Sequence, residues 1–224
     1  MHIITLSFDD GLCQSTLKTA EIFEDHGLSA CFNVVAKGEN PTWQTKSPVG
    51  DFALWNQLQS RGHEIMPHGY RHANKSLLAL EESKTLIGDC LDVFRENLEG
   101  FEPARCVFHF PYNAATPELE AWLLTQVRAY RVGGNPINAM PHRGQQKLTT
   151  TGQGPGNCEA HLVGCIAQCL AESQGWLTYT LHGLDDEGWG PIGSDYLARL
   201  LDRLALIKSV QVLTITAALD LSHS

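Results

Sequence analysis

Two short stretches hold the residue types from which a reactive centre could be built. Ser7-Phe8-Asp9-Asp10-Gly11 places two adjacent carboxylates directly after the apolar run Ile3-Ile4-Thr5-Leu6. His68-Gly69-Tyr70-Arg71-His72 places two imidazoles four positions apart, after Glu64-Ile65-Met66. Histidines at i and i+4 on a helical turn point the same way, so both can reach one cation. A carboxylate from another strand end would complete three protein ligands and leave positions for water and substrate, the layout of a catalytic rather than a structural zinc site. Such a set also accepts iron, cobalt or nickel, so the ligand types do not fix the metal. The first aspartate is then left without a structural task. Beside water activated by a metal it could take a proton as that water attacks a carbonyl, and the nearby cation would keep it ionised. With a further histidine on the opposite side to protonate the leaving group, the result would be an amide or ester hydrolase.

Either motif alone is weak, since Asp-Asp-Gly is ordinarily a turn or helix cap and a His-x-x-x-His pair is ordinarily structural. Their weight comes from the elements that carry them. Strand-like segments near 2–8, 30–35, 63–66, 105–109, 129–132, 176–181 and 210–214 alternate with amphipathic segments at 15–27, 51–61, 75–98, 116–127, 157–173 and 193–207. That alternation predicts a parallel sheet with crossover helices. Asp9-Asp10, His68 and His72, Pro111-Tyr112 and His182 each follow a strand, and parallel strands of a barrel deliver their C-terminal ends to one rim, where active sites are built. Two stretches break the pattern: Lys37 to Gly50, read as an excursion over the rim, and Gly133 to Gly156, with three prolines and six glycines, read as the longest irregular segment. Gly152-Gln153-Gly154-Pro155-Gly156 lacks the Lys-Ser/Thr ending of a phosphate loop and reads as a plain loop.

The bulk numbers narrow the partners. At 224 residues the chain fits one domain spanning 1–224, and 43% hydrophobic residues can fill its core. A net charge of −9 argues against an extended nucleic-acid surface and favours a neutral or cationic ligand. No apolar run reaches the roughly 18–20 residues of a membrane span, and no secretory signal is visible, so a cytoplasmic address is expected. The seven cysteines lack CxxC spacing and suit buried thiols, with Cys165 and Cys169 on one helix face. His63 is expected to be structural, bonded to backbone. The oligomeric state is left open.

These motifs resemble those of the polysaccharide deacetylases of carbohydrate esterase family four, which share the deacetylase domain of the chitooligosaccharide nodulation enzymes. The resemblance covers nearly the whole chain. It implies an α/β fold, a distorted, incomplete (β/α) barrel of about seven strands, and a metal-dependent hydrolase that removes acetyl groups mostly from N-acetylated sugars. Ser7-Phe8-Asp9-Asp10-Gly11 is similar to the first family motif, which implies Asp9 as base and Asp10 as metal ligand. Gly62-His63-Glu64-Ile65 leading into His68-Gly69-Tyr70-Arg71-His72 is similar to the second, which implies His68 and His72 as the other ligands. Phe110-Pro111-Tyr112 resembles the third, so that Pro111 and Tyr112 would line the substrate site and the Tyr112 amide would help bind the oxyanion. Leu181-His182 resembles the fifth and implies His182 as general acid. The implied cofactor is a divalent metal, Zn2+ first and Co2+, Ni2+ or Fe2+ as alternatives.

The chain also departs from the pattern. Gly69 stands where the family usually has Ser or Thr, His109 occupies the place of an arginine expected to orient the base, and Asn113 replaces a glycine. The acidic fourth motif is not recognisable in Ala129-Tyr130-Arg131-Val132-Gly133-Gly134. Asp185 or Asp186 could replace the missing acid by holding the His182 imidazole, and Trp189 could wall the pocket and stack on a sugar ring. The expected function is removal of an acetyl or other acyl group from an N-acetylated amino sugar, small glycan or related metabolite. The alternatives are hydrolysis of a non-sugar amide on the same fold and a non-catalytic carbohydrate-binding role.

Overall fold

The computed structural model describes residues 1–37 and 47–221. Its central strand is β1 (His2–Asp10), every residue of which is buried, as a strand covered on both faces requires. The chain continues through α1 (Cys13–Asp25), β2 (Cys31–Val34), α2 (Phe52–Ser60), β3 (Glu64–Pro67), α3 (Leu80–Asn97), β4 (Val107–His109), α4 (Pro117–Leu123) and β5 (Ala129–Gly133). It ends with β6 (Ile137–Asn138), β7 (Lys147–Thr150), α5 (Cys158–Ala171), β8 (Gly175–Leu181), α6 (Ser194–Ala205), β9 (Val210–Val212) and α7 (Ile215–Asp220).

One sheet runs β3-β2-β1-β8-β6, with β9 also on β1, and a second runs β4-β5-β7. Every ladder is parallel except that of β6 with β8. A bridge between Thr151 and Tyr179 joins β7 to β8. Between β3 and β4 the connection is the Val107 amide donating to the Met66 sulfur at 3.4 Å. Seven parallel strands thus wind in the order β4-β5-β7-β8-β1-β2-β3 and stop short of closure, which is the distorted, incomplete (β/α) barrel expected.

Alternation along each strand sends one set of side chains outward to the helices and the other into the barrel. The outward set, with Ile4, Leu6, Phe8, Phe32, Leu177 and Tyr179, forms the larger apolar core with the helices. The inward set begins at the strand starts with a smaller apolar cluster that includes Ile3, Cys31, Val107, Ala129, Leu148 and Trp176. Glu64 at this end is buried and accepts from the amides of Ile215 and Thr216, tying α7 to β3. Further along, the inward residues turn polar: Thr5, Ser7, Asn33, His109, Arg131, Thr150 and Thr178 are all buried. The barrel therefore carries a polar interior that rises to the rim where β1, β3, β4 and β8 end.

All seven expected strands form. The segment read as one irregular stretch from Gly133 to Gly156 instead holds β6 and β7, whose two and four residues are too short and too polar to show a period. Helix α7 also lay outside the expected helices. Of the Lys37–Gly50 excursion, positions 38–46 fall outside the described residues. His63 is structural as expected, its Nδ1 accepting from the Ala30 amide at 3.0 Å. Cys165 and Cys169 lie on the buried face of α5. Among the described residues no helix is long and apolar enough to cross a membrane.

Candidate active site

The strand ends converge on a cleft of about 460 Å³ lined by Asp9, Asp10, His68, His72, Tyr112, Asn113, Gly152, Thr180, His182 and Trp189. It gathers residues from positions 9 to 189 with no bend in the strands, because each strand delivers its C-terminal end to the same rim.

Asp10, His68 and His72 form the only group of three or more potential metal-binding side chains found among the described residues, with ligand atoms all within 4.8 Å of one another. Asp10 Oδ1 lies 3.6 Å from His68 Nε2 and 3.4 Å from His72 Nε2. That oxygen is buried and has no hydrogen-bond partner among the described residues. His68 Nδ1 donates to the His109 carbonyl at 2.9 Å, which fixes the tautomer with the Nε2 lone pair facing Asp10. Burial lowers His68 to about 3 and His72 to about 4, so both imidazoles are neutral at physiological pH. Burial and the neighbouring Asp9 charge raise Asp10 to about 8. A carboxylate oxygen and two imidazole nitrogens gathered this closely are a donor set of the kind that binds one divalent cation.

Backbone shape supports the cluster. Asp10 ends β1 at φ +79°, outside the range a strand uses. Gly69, between the two histidines, has φ +96°, and a Cβ there would stand 3.2 Å from the Arg71 carbonyl and from Pro111 Cγ. A Ser or Thr here would be strained by the positive φ and crowded by these two neighbours.

Asp9 is held differently. Arg131 reaches it from inside the barrel, Nη1 to Oδ1 at 3.0 Å and Nη2 to Oδ2. Asn33 Nδ2 donates to Oδ1 at 2.7 Å. Ser7 Oγ accepts from Arg131 Nη1 at 2.9 Å, so one guanidinium spans two residues of β1. Burial pushes the Asp9 carboxyl up, but the Arg131 guanidinium, with His68 and His182 beyond it, outweighs burial and holds Asp9 below the usual carboxylate range. Its Oδ2 stands 3.7 Å from His68 Nε2. Asp9 is thus a fixed anion beside the cluster of Asp10, His68 and His72 without being part of it.

Arg131 is the functional residue that sequence reasoning missed. It lies in Ala129–Gly134, where the acidic fourth motif is not recognisable. In the parallel register of β4 and β5, His109 pairs with Arg131, so the guanidinium reaches the aspartate from one strand further round the barrel. A charged residue inside the apolar run Ala129–Val132 was the available signal. His109 is fully buried beside it, its carbonyl engaged by His68 and both ring nitrogens without a partner among the described residues. Burial, followed by the Arg131 charge, holds that imidazole well below its ordinary range, hence neutral.

The remaining expected residues divide. Tyr112 follows Pro111 on a tight turn with φ +58°, followed by Asn113 at φ +52°, a conformation Asn tolerates better than most residues. The Tyr112 ring packs on His72 with centroids 4.6 Å apart and remains half exposed. His182 lines the cleft, its ring edge-on to Trp189 at 5.3 Å. Burial lowers its proton affinity and Arg131 adds to that, against the pull of Asp9. Asp185 and Asp186 are not positioned as expected. Asp185 Oδ1 accepts from the Ser194 amide at the start of α6 and Oδ2 from Lys18 at 2.7 Å, while Asp186 is exposed. The acid that orders this loop is Glu187, buried and accepting from the Ser15 amide at 2.6 Å.

Comparison with known proteins agrees with this architecture. The chain is similar in structure to the Xyl-CE4 domain of a multidomain xylanase from the hindgut metagenome of Trinervitermes trinervoides, with a TM-score of 0.63, 14% identity and coverage of 99% of this chain and 91% of that one. It is similar to the peptidoglycan deacetylase PdaC from Bacillus subtilis, with a TM-score of 0.60, 14% identity and coverage of 99% and 91%. It is also similar to a family 4 carbohydrate esterase from Streptomyces lividans in complex with acetate, with a TM-score of 0.62, 15% identity and coverage of 94% and 91%. No curated protein matches the sequence. The sequence model described as polysaccharide deacetylase matches residues 2–126, more than half of the chain and the part that carries Asp9, Asp10, His68, His72 and Tyr112. With this match, the chain belongs to the polysaccharide deacetylase family.

Proposed function

We propose that this chain is a divalent-metal-dependent deacetylase that hydrolyses the acetamide of an N-acetylated amino sugar, small glycan or related acylated metabolite. The observation that carries the reading is the division of labour between the two aspartates. Asp10 presents a partnerless buried oxygen to two neutral histidines, whereas Asp9 is saturated by Arg131 and Asn33 and kept ionised.

A cation held by Asp10, His68 and His72, zinc in our proposal with cobalt, nickel or Fe(II) also compatible, would supply Lewis-acid polarisation of the acyl carbonyl and of the attacking water. Asp9 takes a proton from that water as the water oxygen bonds to the acyl carbon. Because Arg131 and Asn33 fix the carboxylate from the barrel side, its orientation is set before substrate arrives. The Tyr112 amide donates to the carbonyl oxygen as charge builds there. His182, which lines the same cleft, delivers a proton to the nitrogen as the carbon–nitrogen bond breaks, and acetate and a free amine leave.

The test is acetate release from a panel of N-acetylated and O-acetylated sugars, comparing zinc- or cobalt-loaded protein with chelated protein. Release only from the loaded form supports the proposal. With metal demonstrably bound, absence of release from every sugar points to a non-sugar amide or to a binding role.

A further inference from the structure

Trp189 is half exposed, yet the surrounding backbone is shaped to seat it. It lies between Gly188 at φ +85° and Gly190 at φ +62°, a pair of left-handed residues that lifts one side chain out of the β8–α6 loop. Beneath the indole passes Gly154, where a Cβ would stand 2.6 Å from Trp189 Cζ2. At Gly190 a Cβ would come within 2.5 Å of the Gln153 carbonyl. Residues at 153–154, on a segment far away in sequence, thus form a floor on which the ring can rest. The indole is braced as well, since the His182 ring packs against it with centroids 5.3 Å apart and planes at 82°. Tyr112, a second large exposed ring lining the cleft, is fixed against His72. An apolar surface this large, held rigid and left open at the mouth of a polar site, is suited to receive a flat apolar face of a ligand.

The neighbouring groups identify which part of the ligand. This step rests on the deacetylase reading. The group that protonates the leaving nitrogen touches Trp189, so whatever carries that nitrogen must pass over the indole. A pyranose ring presents axial C–H bonds on one face, an apolar surface matched to an aromatic plane, while its hydroxyls point outward to water. We propose that Trp189 is the platform for the pyranose ring that bears the leaving nitrogen, making it the specificity-determining residue for an amino-sugar substrate.

The test compares an N-acetylglucosamine disaccharide with S-methyl thioacetate, an acetyl donor whose leaving group is too small to stack, on the zinc-loaded enzyme. Trp189→Ala is expected to raise KM for the disaccharide about tenfold, with kcat within about threefold, and to leave kcat/KM for the thioester within about twofold. Gly154→Ala, which keeps the indole but displaces its seat, is expected to raise the disaccharide KM in the same way. An unmoved disaccharide KM, or an equal fall in kcat on both substrates, overturns the proposal, the latter because Trp189 would then act only through His182. Should the wild type release acetate from no sugar, the deacetylase reading fails on its own, and tryptophan fluorescence titrated with the disaccharide decides the platform. A saturable change lost in Trp189→Phe supports it, and no change overturns it.

Discussion

Replacing Arg131 with methionine removes a guanidinium from the barrel interior while filling much of the volume of its stem. Arg131 is 0% exposed and Asp9 2% exposed. The two are joined through both carboxylate oxygens, and Nη1 also bonds to Ser7. Removing one partner of a buried, hydrogen-bonded ion pair costs about 3–5 kcal/mol, because the remaining charge has neither water nor a counter-ion. Total stability of a domain is about 5–15 kcal/mol, so this is a large share of it. In a chain of this length each kcal/mol moves the melting midpoint by about 2–4 °C, so Arg131→Met should melt roughly 6–20 °C lower. The loss should also depend on pH. Wild-type Asp9, depressed in the folded state, contributes stability above the ordinary aspartate value of about 3.9, and that contribution is lost as pH falls through its folded value. In the variant, burial is no longer opposed by the guanidinium and pushes Asp9 up, as burial and the Asp9 charge already push Asp10 to about 8. The difference between wild type and variant should therefore be widest near pH 7 and close below about pH 4. The assay is thermal denaturation of chelated protein across that range, so that no cation substitutes for the guanidinium. Asp9→Asn combined with Arg131→Met should recover part of the loss, since a buried amide costs less than a buried carboxylate. A variant that melts within a degree or two of wild type at pH 7, or by a margin that ignores pH, would refute the reasoning.

Three further outcomes are expected. Metal binding should release close to one proton per cation at pH 7, because Asp10 is still protonated below about 8 while His68 and His72 are already neutral; release should vanish above about pH 9 and in Asp10→Asn, as calorimetry in buffers of different ionisation enthalpy would read. His182→Gln should lower kcat by about 10²–10⁴ with metal content unchanged, measured by acetate release beside elemental analysis. Gly69→Ser should weaken the metal loop through its backbone strain, lowering cation affinity in a chelator competition, whereas restored or tighter binding would contradict the crowding described at Gly69.

Much of this was legible in the sequence because it depends on local pattern. The apolar run before Asp9, the His68–His72 spacing and the alternation of strands with amphipathic segments fix which residues reach the rim. What the sequence hides is pairing. His109 and Arg131 are twenty-two positions apart, and only the parallel register of β4 and β5 sets them side by side, so an arginine displaced by one strand looked like an arginine lost. Asn33 is likewise an unremarkable strand residue until β2 aligns it with Asp9. The loop acids misled for the converse reason. Asp185 stands three residues from His182 in sequence, but its φ of +59° turns it toward Lys18 and the start of α6. Strands β6 and β7 form through tertiary contacts, Asn138 bonding to Thr149 and Thr178, and carry no periodic signal of their own.

The central claim is that adjacent aspartates do different work, Asp10 holding a cation and Asp9 moving a proton. Metal stoichiometry and acetate release measured together on Asp9→Asn and Asp10→Asn test it directly. The account predicts that Asp9→Asn binds one cation per chain and turns over nothing, while Asp10→Asn loses both. Loss of the cation from Asp9→Asn, or a metal-loaded and active Asp10→Asn, would contradict it.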